Sequence, residues 1–440
     1  MDWNTLLSAH RLGSKNRESL SNAVARTNFQ RDYDRLIFSS PFRRLQDKTQ
    51  VFPLPGSVFV HNRLTHSLEV ASIGRSLGDM AARELQQDPS ISNVLIHELG
   101  AVVSAACLAH DIGNPPFGHS GEQAISRFFT DGMGNRIQSQ VTPDEWVDLT
   151  HFEGNANAFR LLSNQFTGRR SGGYALTYTT LASLVKYPWP AAAMEKKKKY
   201  GFFTPEISSF EEVAHVLQIP LVDAQKKIYA RHPLVYLVEA ADDIAYQLMD
   251  LEDALKLGIL DLATVENLFM AFFNADEDAR FYEIKDSVYQ EVIDENERIA
   301  FLRATVISKL IKQVLHVFLT NQESILAGGF KGNLVTHLPD QSRIAFREVS
   351  TVSIHKIYQY PEVIAIELSG YNILGSLLEA FTEAVFNPND LYSKKLISLI
   401  PQQFKSQDET PYAQVRGALD FVSSMTDLYA VKLHRMIKGI

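Results

Sequence analysis

His110 and Asp111 stand side by side at the end of an apolar run, and Gly113, Asn114, Pro115 and Pro116 break the chain directly after them. An adjacent imidazole and carboxylate are two ligands that one divalent cation takes together, and the break lets His119 return to the same place. A lone His-Asp pair is weak evidence, so the rest of the chain has to supply further ligands. His66 and Asp242 are the candidates. Asp242 and Asp243 interrupt an otherwise apolar face of Leu234, Val235, Leu237, Val238 and Ala241, where an unpaired acid is costly. Tyr246 and Asp250 follow Asp242 at steps of four, so the three share one helix face and read as the wall of a site. Asp243 points about 100° away, beside the site or at the surface.

His66, His110, Asp111 and Asp242 make a set of two imidazoles and two carboxylates. Such a set suits Mn²⁺, Mg²⁺, Fe²⁺, Co²⁺, Ni²⁺ or Zn²⁺ and leaves positions for water and substrate. A cation held there lowers the pKa of its water and polarises a phosphoryl oxygen. Any one of these histidines alone is better read as a satisfied core residue; the joint pattern reverses that.

These side chains need rigid elements behind them. Leu68, Val70, Ala71, Ile73, Leu77, Met80, Ala81 and Leu85 recur at helical spacing, which predicts an amphipathic helix with His66 at its start. A second helix is expected over 91–111. Its stretch from Ala101 to Ala109 is apolar nearly all round and should be the buried centre, with Cys107 as a small core residue. A third helix follows His232-Pro233 and carries Asp242. Further helical patterns fall at 262–273, 296–320, 371–385 and 416–437. Tyr174 to Val185 reads as helix with strand as the alternative, and Ser350 to Ile354 and Val363 to Leu368 lean toward strand. Residues 1–30 read as a loosely tied arm, 31–260 as a core with an insertion around 190–230, and 261–440 as a helical region packed on that core. Pro53-Leu54-Pro55-Gly56 reads as a turn, and Glu195 with Lys196 to Lys199 as a solvated charge run.

The totals bound the partners. Hydrophobic residues make up 45% and charged residues 21%, an ordinary globular balance. A net charge of −8 argues against a protein that coats DNA. The single cysteine excludes an internal disulfide and suits a reducing compartment. There is no secretory signal pattern, and no apolar run is expected to reach the roughly 20 residues that cross a bilayer, so a cytoplasmic protein without a membrane partner is the expectation.

At this point the residues resemble a known family. The order His66, His110-Asp111, Asp242 is similar to that of HD-domain metal-dependent phosphohydrolases. The words Phe42-Arg43-Arg44-Leu45, Gln50-Val51-Phe52, Asn62-Arg63-Leu64-Thr65-His66-Ser67, Phe152-Glu153-Gly154-Asn155 and Glu239 to Tyr246 resemble bacterial deoxyguanosinetriphosphate triphosphohydrolases and related dNTPases. The resemblance spans roughly residues 30–250 and continues more weakly through Gly370-Tyr371. It implies a mainly α HD-domain helical bundle with additional C-terminal helices and a few short strands. It implies one divalent metal per site, Mn²⁺ or Mg²⁺ by preference, and hydrolysis of a dNTP at the α-phosphorus to deoxynucleoside and tripolyphosphate. His119 would move a proton with Glu122 beside it; a capping role for His119 is the plainer alternative. Gln50 and Asp250 would meet the sugar 3′-hydroxyl, and Tyr246 would leave no room for a 2′-hydroxyl. Arg63 and Lys186 would bind the triphosphate, with Asn155 and Tyr187 as neighbours, while Arg44 is as well explained by a structural carboxylate pair. A homo-oligomer, a hexamer among the options, and a regulatory second nucleotide belong to the same implication. The alternatives are an HD phosphodiesterase for another nucleotide, or a non-catalytic regulator that binds nucleotide or single-stranded DNA, for which Arg169-Arg170 and the lysine run are the support.

Overall fold

A computed structural model describes residues 1–14, 26–52, 60–194 and 199–440. The Pro53–Gly56 turn and the residues Glu195 to Lys198 of the charge run lie outside these, as do residues 15–25 of the expected arm. The helices, in order, are α1 (Trp3–Leu6), α2 (Asn28–Ile37), α3 (Ser40–Arg44), α4 (Arg63–Leu85), α5 (Leu99–Ala109), α6 (Gly118–Thr130) and α7 (Pro143–Thr150). Next come α8 (Gly154–Ser163), α9 (Tyr178–Leu184), α10 (Ile207–Val216), α11 (Leu234–Lys256), α12 (Leu262–Met270), α13 (Ala279–Glu291) and α14 (Glu295–Thr320). The chain ends with α15 (Gln322–Leu326), α16 (Asp340–Val352), α17 (Pro361–Phe386), α18 (Leu391–Leu399), α19 (Pro411–Ser423) and α20 (Asp427–Lys438). Among the described residues the one sheet is an antiparallel pair, β1 (Leu221–Asp223) with β2 (Ile228–Tyr229). The fold is mainly α, as expected.

Three helices carry the site. Asn62 caps α4 by accepting from the Thr65 amide, and the Thr65 hydroxyl returns the bond to the Asn62 amide. This reciprocal cap fixes the first turn, where His66 lies. Val70, Leu77 and Ala81 of α4 pack on α5, whose residues Val102 to Ala109 are all buried. Helix α11 crosses both and contributes Leu237, Ala241, Ile244 and Leu248 to the same core. Each fully buried side chain of this size contributes roughly 1.5–3 kcal/mol. A second core forms between α6, α17, α19 and α20 through Phe128, Phe129, Leu374, Phe381 and Phe421. Helix α8 ties the two cores together: Arg160 bonds Asp420 with Nη2–Oδ2 at 2.7 Å and also reaches Glu206.

Several expectations are corrected. Residues 1–14 are not a loose arm: Trp3, Leu6, Leu7 and Leu12 are buried, and Arg11 pairs with the buried Asp32. The helix there, Trp3–Leu6, is one turn long, too short for its apolar positions to show a period. The expected helix over 91–111 divides into a 3-10 turn, Val94–Glu98, and α5. Residues 205–230 hold α10 and the β1–β2 hairpin. Tyr178–Leu184 is helix, the first of the two readings given for that stretch. The strand-leaning pieces at 350–354 and 363–368 are helical: α16, a π turn over Ser353–Ile357, and α17. Val349, Ile357 and Val363 are buried there, and packing overrides the β preference of branched side chains. The expected helix 416–437 breaks at Ser424, where its hydroxyl bonds the Phe421 carbonyl and Thr426 caps α20. Helix α17 is also long and apolar enough, by length and composition alone, to cross a membrane. Its Leu374, Leu377, Leu378 and Phe381 lie in the second core instead.

Candidate active site

His66 on α4, His110 and Asp111 after α5, and Asp242 on α11 converge. One ligand atom from each of His66, His110 and Asp111 lies within 4.8 Å of the others. Asp242 Oδ1 is 3.1 Å from His66 Nε2 and 3.4 Å from His110 Nε2. The Cys107 carbonyl, which can only accept, takes a bond from His110 Nδ1 at 2.6 Å. Nδ1 therefore carries a proton, and Nε2 is the nitrogen that faces the centre and would give its lone pair to a cation there. That Nε2 is buried and has no hydrogen-bond partner. Asp111 is held from behind, Oδ2 by Arg63 Nη1 at 2.6 Å and Oδ1 by Asn114 Nδ2 at 2.5 Å. Burial alone would lower the His110 pKa, but the Asp111 and Asp242 carboxylates raise it to about 9. Burial opposes ionisation of Asp111 too, yet Arg63 and the imidazoles bring it down to about 2. The centre thus favours positive charge, and an unpartnered imidazole nitrogen faces it. These residues fit a divalent cation.

The second group follows the Asn-Pro-Pro break. Phe117 caps α6 with φ 63°, and Gly118 follows with φ 58°. A left-handed phenylalanine costs on the order of 1–3 kcal/mol and persists only where its surroundings hold it. A Cβ at Gly118 would come within 2.6 Å of Arg63 Nη2, so the turn and the start of α4 are close-fitted. His119 emerges from this turn with an exposed ring, and its Nδ1 lies 2.9 Å from Glu122 Oε2. Glu122 is buried, and its Oε1 accepts from the Gly154 amide at 2.7 Å. The hydrogen bond to Glu122 raises the His119 pKa, outweighing partial desolvation by the neighbouring protein and the charges of Lys199 and Arg63. Burial pushes the Glu122 carboxyl up, but His119 and Lys199 outweigh it and hold the group ionised.

The chain matches the HD domain over residues 63–142 and the phosphohydrolase-associated domain over 336–436. It is 38% identical to a deoxyguanosinetriphosphate triphosphohydrolase-like protein of Synechocystis sp., with all of both chains aligned. A protein of the same description from Pseudomonas aeruginosa strain LESB58 is 37% identical over all of this chain and 99% of its own. The chain belongs to the deoxyguanosinetriphosphate triphosphohydrolase-like family. A deoxyguanosinetriphosphate triphosphohydrolase of Yersinia enterocolitica is 28% identical over 93% of each chain.

Within this triphosphohydrolase-like chain the remaining candidates spread around the two groups. Tyr246 sets its ring edge-on to His66, centroids 6.3 Å apart, and stacks on Tyr358 at 6.0 Å. The Tyr358 hydroxyl donates to Asp250 Oδ2 at 2.8 Å, and burial raises the Asp250 carboxyl to about 8. Gln50 Oε1 is buried and has no partner. Arg63 uses its contact to Asp111, and its Nε is buried without a partner. Lys186 Nζ lies 2.9 Å from Glu239 Oε1, and Tyr187 packs on Trp189. Asn155 Nδ2 donates to Glu153 Oε1 at 2.5 Å. Asp243 turns away from the ligands and accepts from Asn333 Nδ2 at 2.9 Å. Arg44 has no carboxylate within ion-pair distance among the described residues.

Sequence reasoning missed Lys199, Glu153 and Tyr358. Lys199 Nζ lies 2.8 Å from Glu153 Oε2 and 3.9 Å from Glu122 Oε2, beside the His119 pair. A run of lysines reads as a solvated surface, and nothing in the run singles out its last member. Tyr358 falls between the two stretches that lean toward strand and far along the chain from Asp250, so its contact with Asp250 carried no signal.

Proposed function

We propose that the chain is a metal-dependent dNTP triphosphohydrolase that cleaves at the α-phosphorus, giving deoxynucleoside and tripolyphosphate. The observation that carries this is the unpartnered His110 Nε2 among His66, Asp111 and Asp242, with the His119–Glu122 pair beside them in a chain of this family. His66, His110, Asp111 and Asp242 would hold one divalent cation, Mn²⁺ or Mg²⁺ by preference, which supplies Lewis acidity and an acidified water. Arg63 and Asn114 orient Asp111, and the Cys107 carbonyl orients His110. Water attacks the α-phosphorus, the bond from phosphorus to the 5′-oxygen breaks, and the His119 proton passes to that oxygen. Glu122 keeps the imidazolium charged until then.

Arg63 spends one N–H on Asp111 and buries its Nε, so its remaining Nη hydrogens are what it would offer a phosphate oxygen. Lys186, Tyr187 and Asn155 extend the triphosphate side. Gln50 Oε1 lacks a partner, and Asp250 is held protonated around neutral pH, so each has capacity for the 3′-hydroxyl. A cytoplasmic location follows from the substrate and the single thiol, and a homo-oligomer would cover exposed Ile364 and Leu368 of α17. Incubation with each dNTP and with GTP, read by phosphorus NMR, tests the proposal. Tripolyphosphate from dNTPs is expected; pyrophosphate or monophosphate as sole product rejects it.

Tyr246 backs onto Tyr358, so its ring cannot retreat to admit a 2′-hydroxyl. Tyr246→Ala should reduce the preference for dGTP over GTP, as a ratio of kcat/KM, by roughly tenfold or more. An unchanged ratio removes Tyr246 from this role.

A further inference from the structure

Asp427 opens α20, far along the chain from every residue of the site, and it is buried. Its carboxylate does not pair with a cation within hydrogen-bond distance among the described residues. Instead Oδ2 accepts from the Thr49 amide at 2.9 Å and Oδ1 accepts from the Phe117 amide at 3.0 Å. Thr49 immediately precedes Gln50, and Phe117 is the left-handed residue two before His119. The same C-terminal region makes two more such contacts. Gly370 of α17 lies beneath Phe117, where a Cβ would come within 2.8 Å of the Phe117 Cβ. Buried Lys48 donates to the Asn114 carbonyl at 2.5 Å and to the Ser423 carbonyl of α19 at 3.3 Å.

A strained turn keeps its shape only if something outside it does the holding. Here the holder is the phosphohydrolase-associated region. We infer that Asp427 is a positioning residue, whose two oxygens lock the His119 turn and the Gln50 segment into one geometry, with Gly370 as the second support of that turn. This rests on the roles of His119 and Gln50 proposed above.

The charged groups facing His119 are Glu122 on its own helix, Lys199 from the loop before α10, and Arg63 from α4. None of them is on α17 or α20. Gly370 carries no charge, so a change there can reach His119 only by moving its backbone and lengthening its bond to Glu122. Asp427→Asn also removes a charge held at Phe117, two residues from His119, and Gly370→Ala separates the two effects. Asp427→Asn leaves one oxygen to accept and turns an NH₂ against the other amide. It should lower kcat roughly tenfold to 100-fold, raise KM through Gln50, and move the basic limb of the pH–rate profile to lower pH. Gly370→Ala should lower kcat and move the limb the same way with KM unchanged. Asp390→Asn, which removes a cap of α18 remote from the site, should lower Tm and leave the limb in place. Asp427→Asn and Gly370→Ala proteins that fold, even with lowered Tm, and keep the wild-type kcat and limb would overturn the inference. A limb that moves in Glu122→Gln but in neither of these defeats this inference alone. A basic limb unaltered in His119→Gln defeats the reading of His119 instead.

Discussion

Asp242→Ala should lose the bound divalent cation and nearly all activity, whereas Asp243→Ala should keep the ion and the greater part of turnover. The two acids are neighbours on α11 and differ by about 100° of helix rotation. Asp242 Oδ1 is 3.1 Å from His66 Nε2 and 3.4 Å from His110 Nε2, a position from which one oxygen would join both imidazoles on a shared ion. Asp243 instead accepts from Asn333, and burial raises it to about 7. Asp243 bonds Asn333 and none of the four candidate ligands, so its removal should cost less than the roughly 10–100-fold that follows loss of an outer partner. Removing Asp242 deletes a donor and leaves two imidazoles and one carboxylate, so the loss in metal affinity should exceed that range. Titration calorimetry of metal-free protein with Mn²⁺ reads this without any substrate. Equal losses in the two variants would mean that α11 presents a different face to the centre.

The candidate ligands are legible in the sequence because their chemistry is local. His110-Asp111 is a dipeptide, and the face of Asp242, Tyr246 and Asp250 follows from helical spacing alone. Core helices α4 and α11 were equally plain, since their apolar positions repeat against charged ones. What stayed hidden depends on distance along the chain. Lys199 acquires a role only because Glu153 and Glu122 wait beside it, and no feature of a lysine run reports that. Asp427 binds backbone amides, which every residue possesses, so its partners leave no mark on residue type. Residues 350–354 and 363–368 lean toward strand because β-branched residues prefer it in isolation, while Val349 and Val363 are buried against helical neighbours. Trp3, Leu6 and Leu7 give no signal for a different reason: a one-turn helix is too short to show a period.

His119→Gln should lower kcat by roughly 10²–10⁴-fold, the span that a positioned proton donor supplies. Its pH behaviour carries more information than its size. The Glu122 carboxylate raises the imidazole above its ordinary value. A group that acts as an acid works while protonated, so activity should hold below that raised pKa and fall as pH climbs through it. Glu122→Gln removes the charge and weakens the bond to Nδ1, so the basic limb should move to lower pH. Lys199 pulls the other way: it lowers the His119 pKa and stabilises the Glu122 charge. Lys199→Met should therefore move the limb to higher pH. If His119 served only to cap α6, none of these three substitutions would shift the limb, and Glu122→Gln would register as lost thermal stability alone. Opposite displacements by Glu122→Gln and Lys199→Met follow from their opposite charges around one imidazole, and a capping residue has no means of producing them.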